Sequence, residues 1–280
     1  LATRLISRIR AELGAEIPIR AVFDTPTVAE LAGCLAPGAE AVGVEDPFAV
    51  LLPINTEGDQ PPLWFIHPAG GVCWSYLGFA KHLRDRPIYG IQARGYDGTT
   101  PRPESVEEMV ADYAAQIWAI QPAGPYCLLG WSYGGTIAHA LAAELQGQGH
   151  EIALLALLDA APSGYFARQE EIRADDVRPL LLEQNGYPAA ATEDKLLLEI
   201  AAVTISHNLA ILKKFNTPVY HGDALFFKAT MSDESFAEQW SPHIRGTIEQ
   251  HGIRSTHNDM NMPEPIAEIS QILQRRLNGN

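Results

Sequence analysis

One stretch of this chain decides its fold: Tyr126-Cys127-Leu128-Leu129-Gly130-Trp131-Ser132-Tyr133-Gly134-Gly135. Its first half is apolar like a buried strand, and residues 136–145 after it have helical spacing with small residues on one side. A sharp turn between strand and helix strains its central residue, and only neighbours with little or no side chain tolerate it. Gly130 and Gly134 meet that need. The pattern therefore predicts a G-x-S-x-G elbow that presents the Ser132 hydroxyl at the end of the strand.

Composition excludes several classes of protein. The chain has 280 residues, of which 46% are hydrophobic and 19% are charged, as in a globular protein with one large core and room for an appendage. A formal net charge of -14 and the lack of a basic stripe argue against a nucleic acid or an anionic membrane surface as partner. Three cysteines lack metal-ligand spacing, and no secretory signal is recognisable. We expect a cytoplasmic protein with no metal.

The chain divides into two parts. Residues 1–36 have apolar positions at helical spacing, and Pro26 fits the first turn of a short helix that Thr25 or Thr27 could cap. Residues 37–47 are small, contain Pro and Gly and show no periodicity, which is typical of a linker. We place the main domain at residues 48–280. Because the sequence opens at Leu1 and not at methionine, we expect it to be a piece of something longer.

Strand and helix patterns alternate after the linker. Strands are predicted at 49–54, 63–67, 87–91, 151–158, 224–227 and 247–251, besides the one before Ser132, and helices after the capping box at Ser105 and over 263–277. The first two strands are expected to pair with each other. The alternation predicts a mostly parallel sheet covered on both faces, with ligands bound beyond the carboxyl ends of its strands.

Residues 162–219 interrupt this alternation. They contain a long helical stretch that opens at Thr192-Glu193-Asp194 and continues through Leu212, with no strand pattern between. We interpret the segment as a helical lid inserted over the strand ends. Extra packing helices are the alternative.

A serine hydroxyl becomes a nucleophile only when a base takes its proton and a carboxylate orients that base. In this kind of sheet the order along the chain is Ser, Asp or Glu, His. His257 lies in the expected place, between the last strand and the terminal helix, whereas His251 falls inside the strand. Two acids are candidates. We favour Asp159, at the end of the strand after the elbow, over Asp233, which follows a later strand.

Acyl transfer also needs backbone donors for the oxyanion. The N–H of Tyr133 is one by its position after the nucleophile. The second is expected from the glycine-containing loop His67-Pro68-Ala69-Gly70-Gly71, with Ala69 as the donor.

Four stretches together resemble the terminal thioesterase domain of a nonribosomal peptide synthetase. They are residues 65–71, residues 130–135, Leu157-Leu158-Asp159 and the loop around His257, and they keep the order of that family. Residues 1–35 resemble the second half of a peptidyl carrier domain, whose phosphopantetheine-bearing serine would lie just before Leu1. Free-standing editing thioesterases usually carry methionine after the serine, where this chain has Tyr133. Polyketide chain-ending thioesterases are also similar.

The resemblance implies an α/β-hydrolase fold and a chain-releasing reaction. A peptidyl group would pass from carrier-bound phosphopantetheine to Ser132, and water or a hydroxyl or amine of the same peptide would release it. The partners implied are the carrier domain and the upstream modules, and the family favours Asp159 as the acid. A serine esterase acting on small oxygen esters and a non-catalytic binding module remain the competing hypotheses. The sequence leaves open the peptide and the choice between hydrolysis and ring closure.

Overall fold

The computed structural model describes residues 9, 12–13, 28–34, 48–96, 100–168, 173–177, 195–232 and 236–279. The strands are β1 (Leu51–Asn55), β2 (Leu63–Ile66), β3 (Ile88–Ile91), β4 (Tyr126–Trp131), β5 (Ile152–Leu158), β6 (Ala224–Ala229) and β7 (Ile248–Ile253). The α-helices with described bounds are α1 (Val28–Cys34), α2 (Val106–Ile120), α3 (Tyr133–Gly147), α4 (Ser163–Ala167), α5 (Lys195–Leu212) and α6 (Pro263–Leu277). Short 3₁₀ helices span Trp74–Lys81, Ala237–Trp240 and His257–Asp259.

The strands form one sheet in the order β1-β3-β2-β4-β5-β6-β7. All neighbouring pairs are parallel except β1 and β3, which are antiparallel. The predicted pairing of the first two strands is wrong, because β1 pairs with β3 while β2 lies between β3 and β4. The four residues of β2 are all buried, as a central strand covered on both faces requires. The mixed burial of β1 suits the edge of the sheet.

The two faces of the sheet carry separate cores. Side chains alternate along β2, so Trp64 and Ile66 pack into the core beneath α2 and α3, whereas Leu63 and Phe65 pack into the core beneath α6. The prediction of a sheet covered on both faces is therefore confirmed. Helix α2 begins as predicted, with the Ser105 hydroxyl accepting from the Glu108 N–H over 3.1 Å.

The inserted segment contains α4 and α5. The predicted long helix is present over Lys195–Leu212, while Thr192, Glu193 and Asp194 lie outside the described residues. The two ends of the segment are joined, because Ser163 and Thr217 exchange backbone-to-hydroxyl hydrogen bonds of 2.9 and 3.1 Å.

In the N-terminal part, α1 lies where the sequence predicts a short helix. Thr25, Pro26, Thr27 and the linker 37–47 lie outside the described residues. No helix in the described ranges is long and apolar enough to cross a bilayer.

Candidate active site

Ser132 occupies a strained turn between β4 and α3. Its φ of 57° and ψ of −126° lie in a region that residues with a side chain rarely adopt. The turn closes tightly, since a Cβ on Gly130 would overlap the Gly134 carbonyl, and one on Gly134 would lie 2.6 Å from the His67 oxygen. The Ser132 N–H donates to the Leu158 carbonyl over 2.9 Å, which ties the elbow to β5. Glycine at these positions is thus a requirement of packing.

Three predicted site residues meet at the carboxyl ends of the strands. The Ser132 hydroxyl donates to Nε2 of His257 over 3.0 Å, and Nδ1–H of His257 donates to Oδ2 of Asp159 over 2.7 Å. Serine and histidine are 125 residues apart in the chain. The Asp159 side chain is 0% exposed and that of His257 is 33% exposed. The acid is therefore shielded from solvent, whereas the base is partly accessible to it.

Asp159 is held by the neighbouring strand. Its N–H donates to the Phe227 carbonyl over 2.8 Å, and its second carboxylate oxygen accepts from the Ala229 N–H over 3.1 Å. Its φ is 46°, and among the described residues Ser132 and Asp159 are the two besides glycine that have a positive φ. Hydrogen bonds to both oxygens compensate a buried carboxylate for its lost hydration. Asp233, the alternative acid, lies outside the described residues.

His257 is positioned by two contacts that our sequence reasoning missed. The indole N–H of Trp131 donates to its carbonyl over 3.1 Å, and its own N–H donates to the Ser232 hydroxyl over 2.9 Å. The rings of Trp131 and His257 lie 5.6 Å apart between centroids. The only sequence signal for Trp131 was its place beside the serine in the elbow.

Tyr133 follows the serine as the first residue of α3. Its side chain is buried and stacks on the His67 ring with centroids 5.7 Å apart, and its hydroxyl contacts the Met109 sulfur at 3.4 Å. Burial raises the pKa of this phenol well above its ordinary value, so it stays neutral. The backbone N–H of Tyr133 is therefore anchored through its own packed side chain.

The loop with Ala69 begins where β2 ends. His67 is fully buried, and burial lowers its pKa to about 4, so the ring is neutral near pH 7. Its Nδ1–H donates to the Pro68 carbonyl over 2.7 Å, which leaves Nε2 to accept from the Tyr113 hydroxyl at 2.5 Å. The Gly71 N–H donates to the same Pro68 carbonyl over 2.9 Å. The Pro68 carbonyl and the Ala69 N–H belong to the same peptide unit, so these two hydrogen bonds restrain the unit that bears the Ala69 N–H.

The chain is similar to known proteins over nearly its whole length. The profile of the thioesterase domain matches residues 61–276. The chain belongs to the thioesterase domain family. A second profile, the phosphopantetheine attachment site, matches residues 1–35 ahead of the thioesterase domain. The predicted family, the α/β-hydrolase fold and the carrier segment are therefore confirmed.

Two relatives and one solved structure illustrate this similarity. The chain is 38% identical over 305 residues to a dimodular nonribosomal peptide synthase of Bacillus subtilis (strain 168), covering 99% of this chain and 13% of that protein. It is 36% identical over 287 residues to malpibaldin synthetase of Mortierella alpina, covering 99% of this chain and 5% of that protein. The chain thus spans a small part of these relatives.

One structural neighbour is the NocB thioesterase domain in covalent complex with a fluorophosphonate nocardicin G analogue. The TM-score is 0.69 and the sequence identity is 22%. The match covers 82% of the present chain and 100% of the NocB chain. At this identity the likeness concerns the fold of the thioesterase domain.

Among the described residues, no group of three or more His, Cys, Asp or Glu side chains could hold a metal ion.

Proposed function

We propose that this thioesterase domain ends the assembly of a peptide. It accepts a peptidyl group from carrier-bound phosphopantetheine onto Ser132 and then releases it by hydrolysis or by ring closure. The observation that supports this most is the unbroken hydrogen-bonded series from the Ser132 hydroxyl through His257 to the buried Asp159. That series has the geometry of nucleophile, base and orienting acid.

In the first half-reaction His257 is the base. Its Nε2 takes the hydroxyl proton as the Ser132 oxygen attacks the thioester carbonyl, and the oxyanion that forms is stabilised by the N–H groups of Tyr133 and Ala69. The intermediate collapses with breakage of the C–S bond. His257 returns the proton to the departing phosphopantetheine sulfur, which leaves the peptidyl ester on Ser132.

In the second half-reaction the same groups act on a new nucleophile. His257 takes a proton from water, or from a hydroxyl or amine of the bound peptide, and this nucleophile attacks the ester carbonyl. When the intermediate collapses, the proton passes to the Ser132 oxygen. The product is a free acid in the first case and a lactone or lactam in the second.

Asp159 has an orienting role in both halves. Its carboxylate accepts from Nδ1–H of His257, so the lone pair of Nε2 faces Ser132. The negative charge also stabilises the imidazolium that forms in each half-reaction. We assign the acid to Asp159 and not to Asp233 on this contact.

The setting of the domain belongs to the same proposal. We infer a carrier segment over residues 1–36, a linker over 37–47 and a thioesterase domain over 48–280, with the lid at about 162–219. The relatives are peptide synthetases, which supports a peptidyl carrier domain and upstream modules as partners. We also infer a cytoplasmic enzyme, and the net charge of -14 supports partners other than nucleic acid or an anionic membrane.

The test is intact-protein mass spectrometry after exposure to a panel of peptidyl and acyl pantetheine thioesters. We would compare the natural chain with Ser132→Ala, His257→Ala and the control Ser241→Ala, an exposed serine whose hydroxyl donates to the Glu238 carbonyl. We expect an acyl adduct that requires Ser132, together with a product weighed as acid or as acid minus water. Cleavage of simple oxygen esters with no turnover of any thioester would instead indicate an esterase, and inertness toward both would indicate a binding module.

A further inference from the structure

A side chain from the lid helix contacts the loop that carries the proposed oxyanion donor. Nδ2–H of Asn208, on α5, donates to the Ala69 carbonyl over 2.9 Å. Asn208 is 2% exposed although it is polar, and Ala69 lies 139 residues earlier in the chain. A buried amide that bridges two distant elements is costly to remove, because it leaves the carbonyl without its partner.

Both peptide units around the Ala69 Cα are therefore restrained. The unit before it is held through the Pro68 carbonyl, which accepts from His67 and from the Gly71 N–H. The unit after it is held by Asn208. Two glycines follow Ala69, and glycine resists rotation of a neighbouring peptide only weakly. Asn208 therefore adds a side-chain restraint that comes from a distant element of the chain.

Helix α5 is seated closely on the same loop. Gly71 has φ of +85°, and a Cβ there would lie 2.8 Å from the Thr204 methyl, one helical turn before Asn208. The neighbouring His207 contacts the Pro103 carbonyl at 2.8 Å through Nε2, at the connection between β3 and α2. These two polar contacts of α5 are separable, and the one from Asn208 reaches the loop 67–71, the oxyanion loop.

We propose that Asn208 is a positioning residue: by holding the peptide unit after the Ala69 Cα, it limits rotation at that Cα, helps to fix the direction of the Ala69 N–H, and so couples the seating of the lid helix to formation of the oxyanion. This inference rests on the proposed function. Oxyanion donors act by being oriented before charge develops, and a donor that must be reoriented in the transition state loses much of its effect. When α5 leaves the loop, the thioesterase domain loses an aligned donor and acylation of Ser132 slows.

The experiment compares Asn208→Leu with the matched control His207→Leu. Each removes one polar contact from α5, but only the first touches the oxyanion loop. Two readouts are measured: the second-order rate at which an alkyl fluorophosphonate labels Ser132, and kcat and KM for an acyl pantetheine thioester. Thermal unfolding of each variant reports folding, and Asn208→Ala replaces Asn208→Leu if the leucine does not fold.

For Asn208→Leu we expect both the labelling rate and kcat to fall about tenfold to a hundredfold, less than for loss of a whole donor. KM should stay unchanged, because the Ala69 N–H interacts with the oxyanion in the transition state and not with the bound substrate. His207→Leu should stay within about threefold of the natural chain. Equal losses in both variants, or no loss in Asn208→Leu, overturn the inference. If the natural chain itself shows no Ser132-dependent labelling or turnover, it is the proposed function that fails.

Discussion

The indole N–H of Trp131 donates to the backbone carbonyl of His257, 126 residues later, over 3.1 Å. The residue next to the proposed nucleophile thus holds the loop of the proposed base. Trp131 is itself held by the Tyr76 hydroxyl, which accepts from the Trp131 N–H over 2.9 Å and donates to the Ile66 carbonyl over 2.8 Å. The elbow and the histidine loop are therefore positioned as one unit.

Trp131→Phe removes this hydrogen bond and keeps most of the ring. We expect kcat for an acyl pantetheine thioester to fall about twofold to tenfold, because a typical hydrogen bond contributes about 0.5–1.5 kcal/mol. The thermal unfolding midpoint should change little, since the indole is partly exposed. Steady-state kinetics decide the matter, and an unchanged kcat would show that His257 is held well enough without the tryptophan.

Asp159→Asn tests the identity of the acid. An amide in this place would donate toward Nδ1 of His257, which forces the proton onto Nε2 and leaves no lone pair for the serine. We expect kcat to fall about ten-thousandfold, as for a triad with the wrong tautomer. Asp259→Asn is the matched control. That carboxylate lies in the loop of His257, but it accepts from the Thr256 hydroxyl over 2.6 Å. Steady-state turnover of an acyl pantetheine thioester gives kcat for both variants.

The same assay separates the two candidate acids. Asp233→Asn should keep kcat within about threefold of the natural chain, because Nδ1–H of His257 already donates to Asp159. A large loss in Asp233→Asn with little loss in Asp159→Asn would transfer the orienting role to Asp233.

Two buried histidines make folding sensitive to acid. Burial lowers the pKa of both His67 and His139 from 6.5 to about 4. Between these values the unfolded chain binds protons that the folded chain does not, so stability falls as pH falls. Each histidine should contribute up to about 1.4 kcal/mol per pH unit within this interval, and nothing above it.

Urea unfolding at pH 8, 7, 6 and 5 measures this effect. The contribution of these histidines should be flat from pH 8 to 7 and steep from pH 6 to 5. His139→Phe removes one of the two titrating rings, so its slope between pH 6 and 5 should be shallower than that of the natural chain. An identical slope in the variant would mean that His139 does not govern acid sensitivity.

Gly134→Ala and Gly147→Ala should act in opposite directions although both lie in α3. A Cβ on Gly134 would collide with the Ile66 carbonyl, and we expect a loss of about 1–3 kcal/mol in the free energy of unfolding, as for overpacked cores. Nothing lies within 4 Å of a Cβ on Gly147, where alanine should stabilise the helix by about 0.5 kcal/mol. Urea unfolding measures both, and equal effects would contradict the packing argument for the elbow.

Local patterns predicted much of the architecture. The elbow, the long helix α5 and the terminal helix α6 lie where the sequence places them, because apolar periodicity and capping act within a few residues. The partner of β1 was predicted wrongly. Which strands pair depends on which strand is buried at the centre of the sheet. The number of residues between consecutive strands does not give that position.

By itself the sequence determined the order of strands and helices, the glycine-bracketed Ser132 and the candidates His257 and Asp159, since these follow from spacing along the chain. The tertiary structure decided which groups hold them. Trp131 against the His257 carbonyl and Asn208 against the Ala69 carbonyl each join residues more than a hundred positions apart. Such contacts form only when the sheet has brought distant loops to one edge, and hydrogen bonds of about 3 Å leave no trace in local periodicity.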